Sequence, residues 1–255
     1  MRASVLALAR RALVNATRRP QFFAPLVVFP TLFLAINVGG LQRTTTLPGF
    51  PQVDGFLDFQ LAAAITQSLL LGGVSAGIAV ALDIEGGFFD RLVASPTPRA
   101  AIVLGRVLAA SVIGAIQVCY FLVLGLAFGA EIKGGVLGVL CVLAIGIVAG
   151  TGFGAIGVLI ALRARSASVV QGIFPIVFVV LFISSAFFPA ELLSSPADTV
   201  AAYNPLSYIA EGMRQPIAFS NELRPVLEGL VAAAAVAGAA IGLSLQALRG
   251  RLRDA

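Results

Sequence analysis

The stretch Gly135–Leu162, GVLGVLCVLAIGIVAGTGFGAIGVLIAL, decides the fold class. It carries no charged side chain and is apolar without a period-two alternation, so it reads as a helix rather than a strand. A helix that crosses a bilayer needs about 20 such residues. Five other runs are similarly apolar, with Arg106 and Glu228 the two charges among them: Phe22–Leu41, Phe59–Leu82, Ala101–Phe128, Ser168–Pro189 and Pro225–Leu248. The chain is therefore expected to be an all-α integral membrane protein with six transmembrane helices. Bulk composition points the same way: 59% of residues are apolar, 11% are charged and mean hydropathy is +1.00. Soluble domains carry about 25% charged residues. A soluble enzyme, a disordered chain and a coiled coil are excluded on that ground.

Other counts narrow the chemistry. His is absent, which removes the commonest metal ligand and proton shuttle. Cys119 and Cys141 lie in apolar runs and read as small hydrophobes, with no disulfide framework or zinc site. The cations are sixteen Arg and one Lys, a compositional pointer to a GC-rich bacterial genome. The net charge of +5 follows membrane topology rather than nucleic-acid binding. With six spans and both ends in the cytoplasm, thirteen of the seventeen basic residues fall inside. Only Arg43, Lys133, Arg214 and Arg224 fall outside. This predicts a multi-pass protein of the bacterial cytoplasmic membrane with both termini cytoplasmic. The first run follows a basic stretch, but no small-residue cleavage site follows it, so it reads as a span rather than a signal peptide.

One membrane domain, 1–255, is expected, with no soluble domain. Its segment 1–19 reads as an amphipathic interface helix, with Leu6, Ala9, Leu13 and Ala16 on one face and Arg11 and Arg18 elsewhere. Pro20 and Pro25 punctuate its passage into the first span. Loop Gln42–Asp58 is expected to be irregular, and Gly129–Gly134 a tight hairpin. Arg106 reads as snorkelling to the interface, and Glu228 as lying near the opposite one. Glycines four apart, at Gly146, Gly150 and Gly154 with Gly157 nearby, and at Gly238 and Gly242, mark close helix packing.

Two absences shape the functional reading. There is no GxxxxGK[ST] phosphate loop, so the chain has no ATPase site of its own. No acid sits at mid-depth of a span, which weakens an ion-coupled carrier. What remains is a pore-forming subunit that draws energy from a partner.

The cytoplasmic connection 83–100 could receive that energy. Gly86-Gly87 breaks the second span, and Pro96 and Pro98 stop a short helix of about two turns from Phe88 to Ser95. Phe88, Phe89, Leu92 and Val93 form its apolar face. Two adjacent Phe on a cytoplasmic turn must enter the membrane interface or a groove on another protein.

The acidic residues and glycines leaving span two, followed by FDRLVASPTPR, resemble the coupling helix of ABC-2 type transporter permeases, most closely the daunorubicin-resistance exporter group. YNPLSYIAEGMR, Tyr203 to Arg214, is similar to that family's segment between spans five and six. Together with the six-span plan and the interface helix, the resemblance covers nearly the whole chain. It implies a dimer of permease chains, homodimeric or heterodimeric, served by two copies of a cytoplasmic ABC ATPase that bind ATP and Mg. It implies no cofactor in this chain and no catalytic residue. It assigns Glu85, Phe88, Phe89, Asp90, Arg91 and Leu92 to the ATPase contact, with Pro96 and Arg99 ending the elbow. The competing reading of this elbow is a membrane-surface anchor.

The family also has external or re-entrant helices between its last two spans, here 190–224. Asn204-Pro205 can cap and start one, Tyr208, Glu211 and Arg214 share a side of it, and Gln215-Pro216 ends it. A gate and a structural lid with a solvated ion pair remain alternatives. The polar residues Gln67, Gln117, Tyr120 and Gln171 are candidates for the substrate path. The substrate implied is amphipathic or hydrophobic, as a drug, antibiotic or lipid is. Polysaccharide or teichoic-acid export is the nearest variant, though the chain has no Trp and three Tyr. A secondary carrier without an ATPase is the alternative from another class.

Overall fold

Each long apolar run folds as a helix because in lipid every peptide group must be bonded within the chain, and a helix does this within one segment. The computed structural model describes residues 1–18, 20–220 and 222–251. Arg19 and Arg253, counted above among the cytoplasmic charges, lie outside those residues. The helices are α1 (Arg2–Arg18), α2 (Pro20–Leu41), α3 (Phe56–Glu85), α4 (Phe88–Ala94), α5 (Arg99–Ala127), α6 (Gly135–Ala164), α7 (Ala167–Gln171), α8 (Phe174–Phe182), α9 (Ala197–Tyr203), α10 (Pro205–Arg214) and α11 (Leu223–Arg251). No strand occurs among the described residues.

Five helices are long and apolar enough to cross a membrane: α2 with the 3-10 turn that extends it, α3, α5, α6 and α11. The expected fifth run, Ser168–Pro189, is not one such helix. It breaks at Gly172 into α7 and α8, and helix ends at Phe182. Its 16 apolar residues, Ala167–Phe182, would rise only about 24 Å as an unbroken helix. The segment nonetheless runs from one end of the bundle to the other. At its start the Ala167 N–H donates to Glu85 at the end of α3. Beyond its end the Ser185 and Ala186 carbonyls accept from Arg214, which also bonds the Phe59 carbonyl near the opposite end of α3.

The core lies where α3, α5 and α6 meet, around Leu61, Ile65, Leu69, Val118, Phe121, Ile145 and Phe153. Glycine sets how close the backbones come. A Cβ at Gly157 would collide with the Gly73 carbonyl of α3, and Gly150 lies against Gly114 of α5. Gly146 and Gly154 likewise press on Val118 and Ala110. Gly238 and Gly242 depart from the expectation: among the described residues, a Cβ at either would meet nothing within 4 Å from another part of the chain.

Other details differ from the sequence reading. α2 begins at Pro20, as expected, but runs on through Pro25 and also through Pro30. Membrane-type helices tolerate this because neighbours compensate for the lost bond. In α1 the inward face is Val5, Leu8 and Ala9, seated on Gly105 of α5. Leu6 and Ala9, expected on one face toward the membrane interface, differ: Ala9 is buried and Leu6 is 61% exposed.

Candidate functional site

Two polar clusters stand at opposite ends of the bundle. The first surrounds α4. The chain leaves α3 through Gly86 and Gly87, and Gly87 adopts φ +66°, a left-handed turn that glycine permits. α4 then runs from Phe88 to Ala94, and Ser95 closes it by donating to the Leu92 carbonyl. Phe89 is 4% exposed and packs among Val80, Ile84, Ile102, Val103, Val158 and Leu162. The expectation that both aromatics need cover from outside the chain therefore fails for Phe89, because the chain supplies its own groove. Phe88 is half-buried beneath the Arg11 guanidinium, 3.5 Å from the ring centroid, a cation–π contact. Leu92 is also half-buried. Asp90, Arg91, Pro96 and Arg99 remain exposed, with the Arg91 Nε–H donating to the Gly87 carbonyl. Glu85 is exposed but committed, since it caps the start of α7 through Ala167.

Above α4 sits a charge cluster that sequence inspection does not assemble. Arg11 of α1 donates from both terminal nitrogens to Asp83 of α3, at 2.9 and 3.1 Å. Arg106 of α5 pairs with the same carboxylate. Arg106 is thus inside the protein fold beside Asp83, with 15% of its side chain exposed, rather than snorkelling. Burial pulls the Arg11 pKa below its ordinary value, yet an arginine stays protonated at any ordinary pH. The clue was available: Arg106 and Asp83 each lie at one end of an apolar run, and the runs are joined by a short elbow.

The second cluster is built on α10. Asn204 caps the helix, its Oδ1 accepting from the Leu206 N–H, and Pro205 takes the first position. The Asn204 amide also donates to the Val180 carbonyl of α8. The helix does not end at Gln215-Pro216; it widens into a π-helical turn, Gln215–Phe219. The Pro216 and Ile217 carbonyls accept from Gly134 and Lys133, so this turn holds the α5–α6 hairpin. Arg214 is 1% exposed. It pairs with Glu211 at 2.5 Å, donates to the carbonyls of Phe59, Ser185 and Ala186, and lies over the Phe59 ring. The expected solvated pair is thus a buried hub with one exposed partner, Glu211, 42% of whose side chain is open. Tyr208 donates to the Ala202 carbonyl of α9.

The four path candidates have different surroundings. Gln117 is buried and donates to the Ser68 carbonyl and hydroxyl. Tyr120 shares a hydrogen bond with Thr31 of α2. Gln171 is exposed at the end of α7. Gln67 is buried, and among the described residues its amide finds no partner, as at Gln60 about two turns earlier on the same face of α3. A contact that sequence reasoning missed is the phenylalanine ladder between α2 and the α8 region. Phe29 meets Phe178, and Phe33 meets Phe182 and Phe187, with centroids 5.2–5.8 Å apart.

No group of His, Cys, Asp and Glu among the described residues could hold a metal ion. No curated protein matches the chain. The family model for "ABC-2 type transporter" matches residues 3–217. That span takes in the α1–α5 cluster, the α4 elbow, the broken α7–α8 segment and the α10 hub. The chain belongs to the ABC-2 type transporter family, as a multi-pass membrane permease without an ATPase site.

Proposed function

We propose that this permease exports amphipathic or hydrophobic compounds across a bacterial cytoplasmic membrane, driven by a separate ATPase that binds ATP and Mg. The observation that carries the reading is the mounting of α4. Phe89 roots it in the bundle and Phe88 joins it to α1 through Arg11, while Asp90, Arg91, Pro96 and Arg99 stay exposed. A push on that exposed face would pass directly into α1, α3 and α5. In this reading the α4 end is cytoplasmic, both termini lie there, and the α7–α8 segment makes a sixth, broken crossing. Two permease chains and two ATPase copies form the working unit. Segment α9–α10 closes the outer mouth, with Arg214 as its fastening and Asn204, Pro205 and Tyr208 shaping it. The phenylalanine ladder and the lack of Trp support a lipophilic substrate of the kind moved by daunorubicin-type exporters over a sugar chain.

The test is the double variant Arg91→Glu with Arg99→Glu in the full chain. The expected outcome is loss of a co-purifying ATPase and of ATP-dependent transport, with the melting temperature unchanged. Retained association and transport would remove α4 as the contact. Absence of any co-purifying ATPase with the wild type would remove the energy source itself.

A further inference from the structure

The α1–α5 charge cluster floors an open cavity of about 360 Å³ between α1, α2, α3 and α5. That volume lies in the range of sites for small organic ligands, about 300–1,000 Å³. Its walls are mostly apolar, with Leu26, Ala76, Ala79, Ala109 and Ile113 beside the polar Asn15 and Ser75. Its floor is Arg11, Asp83 and Arg106.

The charges on that floor do not balance. Two guanidinium groups share one carboxylate. Arg11 already spans both Asp83 oxygens, and Arg106 is the less exposed of the two arginines. Among the described residues Arg106 meets no second carboxylate. Glu85, the next acid along α3, is turned to the Ala167 N–H. A guanidinium presents five donors in a planar fork that matches carboxylate and phosphate oxygens. A partly buried cation left short of an anion is costly. The cluster therefore calls for a second anion, and the walls above it call for a hydrocarbon chain.

We propose that this cavity binds an anionic amphiphile. Its phosphate or carboxylate head would sit on Arg106 and Arg11, and its chain along the Ala76–Ala79 and Ala109–Ile113 walls. The site faces the cytoplasmic leaflet if the orientation proposed above holds; the binding chemistry itself is independent of that orientation. Two sources share the chemistry: a membrane phospholipid head group, or a free single-chain amphiphile such as a transported compound.

The experiment uses the full-length chain in nanodiscs of phosphatidylcholine and reads the binding of radiolabelled dodecyl phosphate. Saturable binding is expected, weakened at least about tenfold by Arg106→Gln, the loss expected for a charge-assisted contact. Inorganic phosphate should compete far more weakly than dodecyl phosphate. Ala79→Leu, at an exposed position on the wall, leaves every charge in place and should also abolish binding. It decides the matter if Arg106→Gln does not fold. Adding phosphatidylglycerol separates the sources: competition points to the lipid head group, and none to the free amphiphile. Wild-type affinity in the folded Arg106→Gln variant, or in Ala79→Leu, would overturn the proposal. So would inorganic phosphate binding as tightly as dodecyl phosphate. None of these readouts needs the ATPase, so they stand or fall separately from the export reading.

Discussion

Each end of the bundle holds an arginine inside the protein, and the two are treated in opposite ways. Arg214 is saturated: three backbone carbonyls, the Glu211 carboxylate and the Phe59 ring surround it. Arg106 shares a single carboxylate with a second arginine and borders an open cavity. A saturated cation ties elements together; an under-supplied one is a place where something else can bind. The same residue type thus serves as a rivet in one setting and as a receptor in the other, and the number of acceptor oxygens around it decides which.

Breaking the rivet should have the largest effect. Arg214→Gln takes the guanidinium donor from the Ser185 and Ala186 carbonyls of the post-α8 segment. A buried acceptor left unpaired costs about 1–3 kcal/mol, so losing both costs about 4 kcal/mol. Unfolding of the purified chain in detergent should therefore shift to much lower temperature. A variant as stable as the wild type would show that the hub is dispensable and end the contrast.

Next comes the anchor of the α4 end. Phe89→Ala removes a core aromatic and should cost about 3 kcal/mol, read in the same unfolding measurement. Phe88→Ala, which loses a half-exposed cation–π contact, should cost about 1 kcal/mol or less. Equal losses would mean that the two phenylalanines are buried alike, against their placement here.

A smaller effect sharpens the hub. Glu211→Gln removes the exposed member of its pair, and partly exposed pairs contribute about 0–1 kcal/mol. Stability should barely move, because the carbonyls keep Arg214 in place. A loss approaching that of Arg214→Gln would make the carboxylate, not the carbonyls, the principal partner.

The smallest effect is one of pH. Lys133 bonds Asp54 at 2.7 Å, and that hydrogen bond, with the negative charges of Asp54, Asp58 and Glu131, raises its pKa above the ordinary 10.5. The folded state then holds the proton more tightly than the unfolded one. This contribution is fully present below the ordinary lysine value and is lost as pH rises through the raised one. Titration of Lys133 by NMR should show the upward shift in the wild type and its loss in Asp54→Asn. An identical midpoint in both would remove the bridge as the cause.

Much of this architecture was legible from local pattern. Continuous apolar runs gave α2, α3, α5, α6 and α11 to within a few residues, Gly86-Gly87 and Pro96 bounded α4, and Asn204-Pro205 placed the start of α10. Burial was not legible. Phe89 on a polar elbow looks exposed until α3, α5 and α6 close around it. Arg214 looks like a surface charge until the chain from α8 brings two carbonyls to it across nearly thirty residues. The apolar run from Ser168 gave no warning of its break, because hydropathy ignores that Gly172 and Pro175 leave its first turns poorly held.

The seat of α1 on α5 also sets an order of events during synthesis. Val5, Leu8 and Ala9 emerge from the ribosome about 100 residues before Gly105, the surface they rest on. At about 5–20 residues per second, the first helix waits roughly 5–20 s for its partner. Arg11 waits almost as long for Asp83. During that interval α1 has its arginines and its outward Leu6 for company, so the lipid surface is its natural holding place. The amphipathic character of α1 then serves the nascent chain first and the finished bundle second. Assembly at this end closes only when α5 arrives.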